Sequence, residues 1–303
     1  MIQRVAIVGA GLAGLCAARD LNAAGLSTVV FEKSRGLGGR LATRRTDLGP
    51  IDHGAPGVPV DVAQAAGGSV WAEGPQDSRG IGIPDMSTLA RHLGQGINVQ
   101  REISVTDVAG TDEGFSLTDA DGRVHSGFEA VILAVPAPQA AGLLGYEDGM
   151  KKALADVRMN PAWTLLLGFD APSALSQDVR TLAEPLAMAI PMLSKPGQIA
   201  TERWTVHGSP AWSVAHLELE KEEAADRLLK AFMAATGLVG APDYVAAHRW
   251  RYARVEQPLG RPFVANGAST LLAGGDWALG PLASDAVASG RAMAQRVLEN
   301  GRG

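Results

Sequence analysis

Three glycines (Gly9, Gly11 and Gly14), an acid (Glu32) and the arginines Arg35, Arg40, Arg44 and Arg45 crowd the start of this 303-residue chain. Glycines spaced G-x-G-x-x-G let the backbone turn tightly, bring N–H groups up to a pyrophosphate and let a helix pack close to a strand. The N-terminus of the helix behind such a turn adds positive potential for phosphate oxygens. An acid ending the next strand accepts hydrogen bonds from a ribose 2′-hydroxyl and repels a 2′-phosphate. This set of residue types predicts a dinucleotide site.

The elements needed to position them are legible. "VAIV" is apolar and β-branched, as in a parallel strand buried on both faces. "LAGLCAARDLNAAG" reads as a helix closed by Gly25, and "STVVFEK" as a second strand with Glu32 at its end. "KSRGLGGRLATRR" then adds Gly36, Gly38 and Gly39 beside the arginines. A second glycine turn with a fixed guanidinium is redundant for NAD, but useful for another approach to a pyrophosphate or to an isoalloxazine edge. Arg40 fits that role, whereas Arg44 and Arg45 read better as a solvated basic loop. Here the chain resembles the two-dinucleotide-binding-motif flavoproteins, the amine oxidase superfamily. In them a GGR follows the acid, and its arginine lies near the phosphates of FAD.

Composition narrows the class. Hydrophobic residues make up 46% of the chain and charged residues 19%, with a net charge of −5, which argues against nucleic acid or an anionic membrane as partner. A single cysteine, Cys16, allows no internal disulfide and no multi-cysteine metal site, and reads as small core packing in the dinucleotide helix. The glycine spacing favours a strand and helix over a signal peptide at the N-terminus, and no segment approaches the ~18 apolar residues of a membrane span. The expectation is a cytoplasmic chain with no membrane partner.

Further along, "IPDMSTLARHLGQG" reads as a helix with Asp85 or Ser87 as N-cap, and 97–135 as a β-meander with turns at "GTDEG" and "DADG". A second lobe begins near Met159. Its helix "EKEEAADRLLKAFMAATG" is acidic in its first turn, with Leu228, Leu229, Phe232 and Met233 on one face. In "VAAHRWRYARV", period two puts His248, Trp250 and Tyr252 on one face and Arg249 and Arg251 on the other. Near the end, "TLLAGG" reads as a strand running into Asp276, followed by a helix from about Ser284.

Together "GGRLATRR", "DHGA", "IGIPDMSTLARHL", "SKPG", "WTVHGSPAWSVAHLE", "HRWRYA" and "GGDW" resemble the renalase-like flavoproteins, the bacterial branch in particular. The resemblance implies an α/β fold of the p-hydroxybenzoate-hydroxylase kind, in which a Rossmann-type FAD-binding domain (1–57, 97–158 and 263–303) is interleaved with a smaller α+β substrate domain (58–96 and 159–262). It implies non-covalent FAD. Around the first turn the implied contacts are Gly9, Gly11, Leu12, Ala13, Gly14, Glu32 and Lys33. Gly39, Arg40 and Leu41 follow in the second turn, then His53, Gly54 and Ala55 in "DHGA". Val105 is expected at the adenine, Asp276 at the ribityl chain and Val287 in the helix aimed at the flavin. The implied reaction oxidises dihydronicotinamide isomers other than the usual 1,4 form to NAD(P)+, with oxygen as acceptor and hydrogen peroxide as product. Two departures bear on the substrate: "PGVPV" follows "DHGA" where relatives carry an aromatic, and the stretch beyond it is short.

Hydride transfer to a flavin asks the protein for position, water exclusion and tuning rather than a triad. No G-x-S-x-G and no metal-like histidine spacing occur. Substrate candidates are His248, Trp250 and Tyr252, planar partners for a planar ring or else core filler. Trp163 reads more as core, and Lys195 either hydrogen-bonds the flavin N5 through water or lies on an exposed turn. An amine oxidase or desaturase for another small metabolite, and a flavin-holding binding protein without turnover, stand as alternatives.

Overall fold

The computed structural model describes residues 2–111, 114–145 and 147–301. Asp112 and Glu113 of the "GTDEG" turn lie outside them, as do residues 1, 302 and 303 of the expected domain limits. The chain forms two compact units, 1–39 with 90–159 and 255–303, and 40–89 with 160–254.

The first unit is built on a six-stranded sheet in the order Phe263–Ala265, Leu271–Gly274, Ala130–Leu133, Arg4–Val8, Ser27–Glu32, Val99–Arg101. All neighbours pair in parallel except the first strand, which runs antiparallel at the edge. After the exposed Arg4, Val5–Val8 is buried, as is Ala130–Leu133, which accounts for their unbroken apolar sequences. The helix Leu12–Ala23 follows the first glycine turn, and Ala283–Asn300 packs against it. A Cβ at Gly290 would lie 2.2 Å from the Ala13 carbonyl oxygen, so the two helices approach backbone to side. The expected meander resolves into two parts. Val105–Thr111, Gly114–Asp119 and Val124–Phe128 form an antiparallel sheet of three strands, while the flanking strands join the parallel sheet.

The second unit contains a five-stranded sheet, Arg180–Thr181, Leu186–Pro191, Glu202–Gly208, Arg158–Phe169, Tyr244–Gln257. One face carries Trp163, Leu165, Leu167, Trp204 and Val206 against Ala224, Leu228 and Phe232 of the helix Lys221–Thr236. That helix starts with Glu222 and Glu223, is laced by Glu223–Arg227 and Asp226–Lys230 pairs, and stops at Gly237 with φ 71°. Each fully buried large side chain contributes roughly 1.5–3 kcal/mol.

Residues 40–57, expected in the nucleotide domain, belong to the second unit. The cause is the hairpin Thr43–Thr46/Gly49–Asp52. Its Asp52 carboxylate accepts hydrogen bonds from the Met86 N–H (3.0 Å), the Thr43 hydroxyl (2.7 Å) and Lys195 Nζ (2.8 Å), all in that unit.

Candidate functional site

The first glycine turn separates what the fold requires from what it leaves open. Gly9 has φ +103°, a conformation L side chains rarely adopt, and a Cβ at Gly14 would fall 2.0 Å from the Gly9 carbonyl oxygen. Gly11 is different: a Cβ there meets nothing within 4 Å. The protein itself does not need glycine at that position, while a phosphate approaching the backbone does. The second turn closes on the first, with the Gly38 N–H donating to the Ala10 carbonyl (2.8 Å) and the Gly39 Cβ position 3.7 Å from the Gly11 Cα. Glu32 is buried and accepts from the Ala10 N–H (2.9 Å) and the Ser34 N–H (2.8 Å). A carboxylate has about four acceptor positions, so two remain for ribose hydroxyls. These residues fit a dinucleotide.

The other residues of the predicted cofactor set in this unit lie in or beside the sheet and its helices. Leu12 and Ala13 are buried at the start of the first helix, Lys33 is exposed, and Val105 packs against the core of the unit. Asp276 is buried in the short helix Asp276–Ala278, directly after Leu271–Gly274. Trp277 Nε1 donates to the Val135 carbonyl (2.9 Å), and the Gly275 N–H donates to Ser289 Oγ (2.9 Å), which pins this turn to sheet and helix. Asp285 accepts from the Leu282 N–H (2.8 Å) at the start of the last helix, with half-buried Val287 in its next turn. Burial pushes the Cys16 thiol up to about 11, with opposing charges from Arg291 and Asp20 as smaller influences, which keeps it a thiol near pH 7 and suits its packing role.

In the second unit "GRLA" and "DHGA" lie against each other. The His53 N–H donates to the Ala42 carbonyl (3.1 Å) and the Ala55 N–H to the Arg40 carbonyl (2.8 Å), while a Cβ at Gly54 would meet that same carbonyl oxygen at 2.0 Å. Leu41 is buried, and Arg40 Nη1 donates to the Ala253 carbonyl (2.8 Å).

His248 and Trp250 come together with His53. The ring centroids of His53 and His248 are 4.7 Å apart, those of His248 and Trp250 4.3 Å, and those of His53 and Trp250 5.4 Å in a stacked arrangement. Trp250 Nε1 donates to the His53 carbonyl (2.8 Å). His53 Nδ1 and His248 Nδ1 are buried with no hydrogen-bond partner in the structure. Burial, then the charge of Arg44, pushes His53 down to about 4; burial, His53, Arg44 and Lys221 push His248 to about 3. Both are neutral near pH 7. Tyr252 shares their strand face by period but makes no ring contact with the trio among the described residues.

Trp163 follows the core reading, and the exposed turn expected for Lys195 is corrected. Trp163 is fully buried and its Nε1 donates to the His216 carbonyl (2.9 Å). It lies on the packed face of the sheet, because alternation along Arg158–Phe169 sends Trp163, Leu165 and Leu167 to the helix side, so it is core rather than substrate wall. Lys195 is not on an exposed turn: it is 3% exposed, ion-paired with Asp52, and its Nζ is 5.3 Å from the Trp71 ring centroid. Burial alone would raise the Asp52 pKa, but the Lys195 charge and the bonds from Lys195, Met86 and Thr43 outweigh it and hold the carboxyl below its ordinary range.

Sequence reasoning missed Asp52, Thr164, Thr205 and His207. Thr205 Oγ1 donates to the Asp52 carbonyl, and His207, two residues along on the same strand face, pairs across the sheet with Thr164. His207 Nε2 is buried without a partner, and burial followed by the Lys195 charge pushes its pKa down to about 4. The polar alternation Arg203, Thr205, His207 against Glu202, Trp204, Val206 was the available signal.

A dinucleotide cradle on a mostly parallel six-stranded sheet, interleaved in sequence with a second α+β unit, defines the Rossmann-like flavoenzyme class. Comparison with known proteins specifies the family. The family model described as NAD(P)-binding Rossmann-like domain matches residues 7–64, and that of flavin containing amine oxidoreductase matches residues 60–298. The chain belongs to the flavin-containing amine oxidoreductase family, and its cofactor is a flavin. It is similar to cyclohexylamine oxidase from Brevibacterium oxydans IH-35A (13% identity, all of both chains, TM-score 0.76). It is also similar to a proposed protoporphyrinogen oxidase from Exiguobacterium sp. 255-15 (15% identity, 98% of this chain and 99% of that one, TM-score 0.74). At these identities the likeness is one of fold. A lysine-specific histone demethylase 1 homolog 3 of Arabidopsis thaliana is 31% identical over 163 residues, 52% of this chain, and the match spans only 9% of that protein. No helix among the described residues is long and apolar enough to cross a membrane.

Proposed function

We propose that this chain is a renalase-like oxidase with non-covalently held FAD, which oxidises dihydronicotinamide isomers other than the usual 1,4 form to NAD(P)+. The observation that carries the cofactor half is the cradle of two glycine turns with open space at Gly11 beside Glu32. Gly9 to Gly14 and the helix N-terminus behind them would receive the pyrophosphate, Glu32 the ribose, and Asp276 the ribityl chain. When bound, FAD supplies the two-electron acceptor for a hydride leaving the substrate ring, and oxygen takes the electrons on to hydrogen peroxide.

The side chains of the second unit support the substrate half. His53, His248 and Trp250 offer a planar ring two neutral imidazoles and an indole, with two ring nitrogens free to bond polar substituents. The family as a whole favours the second reading, an amine as donor.

The visible spectrum of the purified protein, kept anaerobic, tests both halves before and after addition of mixed dihydronicotinamide isomers. A flavin spectrum that bleaches within seconds is expected. Bleaching by amines alone moves the assignment to the amine reading, and a flavin untouched by either class of donor leaves a flavin-holding protein. Arg40→Ala and Asp276→Ala are each expected to lower FAD occupancy, and full occupancy in both would remove these residues from the cofactor site.

A further inference from the structure

The polar face of the second unit is uneven in charge. Arg44 and Arg45 are neighbours on one strand and so point to opposite sides. Arg45 lies 3.6 Å from the buried Asp85 carboxylate. Arg44 is half-buried, and among the described residues its guanidinium has neither an ion pair nor a hydrogen bond. Arg44 pairs across the hairpin with Ile51, two residues before His53, and its charge is felt at both His53 and His248. Other arginines of this unit show the contrast: Arg249 and Arg251, on the far side of the strand that bears His248, share Glu218 at 3.4 and 2.7 Å.

The local acid offsets this only in part: the Asp52 charge opposes that of Arg44 at His53 but ranks below it. Asp52, next to His53, already receives Thr43, Met86 and Lys195 on its two carboxylate oxygens. Lys195 and Lys221 add positive potential at His207 and His248 respectively. The three histidines are neutral near pH 7 and supply no negative charge. A protonated amine entering here would meet positive potential with no carboxylate free to pair it, whereas a carboxylate or phosphate would find an unpaired planar donor fork.

We propose that Arg44 is an anion anchor, so that this face takes a planar substrate bearing a carboxylate or phosphate and turns away protonated amines. The inference rests on reading the His53, His248 and Trp250 cluster as the substrate site. It names the class of substrate within a family described by its amines.

The test is calorimetric binding to the full, flavin-loaded chain of three ligands that share one ring, benzoate, phenyl phosphate and benzylammonium, at about pH 7. At least one anion is expected to bind about tenfold or more tightly than benzylammonium, a factor equal to about 1.4 kcal/mol. The tighter anion identifies the group as carboxylate or phosphate. Arg44→Ala should cost the anion about that factor and leave benzylammonium unchanged or improved, Arg44→Lys should keep most of the preference, and Arg44→Glu should reverse it. Because Arg44 makes no bond to other described residues, the thermal midpoint of each variant should stay near that of the parent. Equal or tighter binding of benzylammonium by the parent, no binding of either anion, or an unaltered anion affinity in Arg44→Ala overturns the proposal. The binding measurement involves no turnover, so a flavin that dihydronicotinamides fail to bleach defeats the proposed reaction and leaves the charge preference readable.

Discussion

Mild acid should loosen the second unit well before its carboxylates titrate. His53 and His207 are pushed from the ordinary 6.5 down to about 4, and His248 to about 3, in each case chiefly by burial. An unfolded chain protonates these rings below about pH 6.5, and the folded chain does not until about pH 4 or lower, so the unfolded state binds more protons throughout that window. Their contribution is complete above pH 6.5 and is lost as the pH falls, at about 1.4 kcal/mol per pH unit for each ring. At about pH 5 the well-buried His53 alone costs about 2 kcal/mol. His207 and His248 are half-buried and solvent trims their shares, which leaves about 4–6 kcal/mol for the three. That is comparable to the whole stability of many domains, about 5–15 kcal/mol. Urea unfolding followed by tryptophan fluorescence, with Trp71 and Trp204 buried in this unit, should show the midpoint falling steeply between about pH 7 and about pH 5. His53→Phe should remove roughly a third of that slope. A midpoint independent of pH across the window, or a slope unchanged in His53→Phe, would refute the reasoning.

The buried ion pair and the glycine turn give further expectations. Asp52→Asn strands the Lys195 ammonium and should destabilise by about 3–5 kcal/mol, whereas the double change with Lys195→Met should recover much of that loss in urea titrations. Gly11→Ala should leave apoprotein stability within about 0.5 kcal/mol yet lower flavin content by absorbance, since its Cβ fills only the cradle. Gly14→Ala should cost about 1–3 kcal/mol as well, because its Cβ collides with backbone. Glu32→Gln, which loses charge and acceptor capacity, should weaken flavin retention on dilution; unchanged retention would exclude Glu32 from the cofactor site.

The parts legible in the sequence are those determined by neighbours a few residues apart. The turn at Gly9–Gly14, the strand ending in Glu32, the helix closed by Gly237 and the alternation of His248 with Trp250 are local patterns, and each stands where its residues indicated. Lys195 was not legible because its burial depends on Asp52, 143 residues away. Arg44 looked like one more solvated arginine in a basic loop, and only the pairing of Thr43–Thr46 with Gly49–Asp52 separates it from Arg45. Trp163 read more as core and is core, packed on the face of its strand that meets the helix Lys221–Thr236.

The interleaving of the two units has a consequence for synthesis on the ribosome. Residues 4–32 emerge first and place two strands side by side, yet the strand that flanks Arg4–Val8 on its other edge comes only at Ala130–Leu133. The next strand, Leu271–Gly274, and the helix that covers Leu12–Ala23 come later still. For most of translation the nascent dinucleotide turn therefore has a bare sheet edge and an uncovered helix face beside it. Firm flavin retention is therefore expected only once segment 255–303 has been made and has folded back, and a truncation within Ala283–Asn300 should disturb the glycine turn of Gly9–Gly14 far before it in sequence.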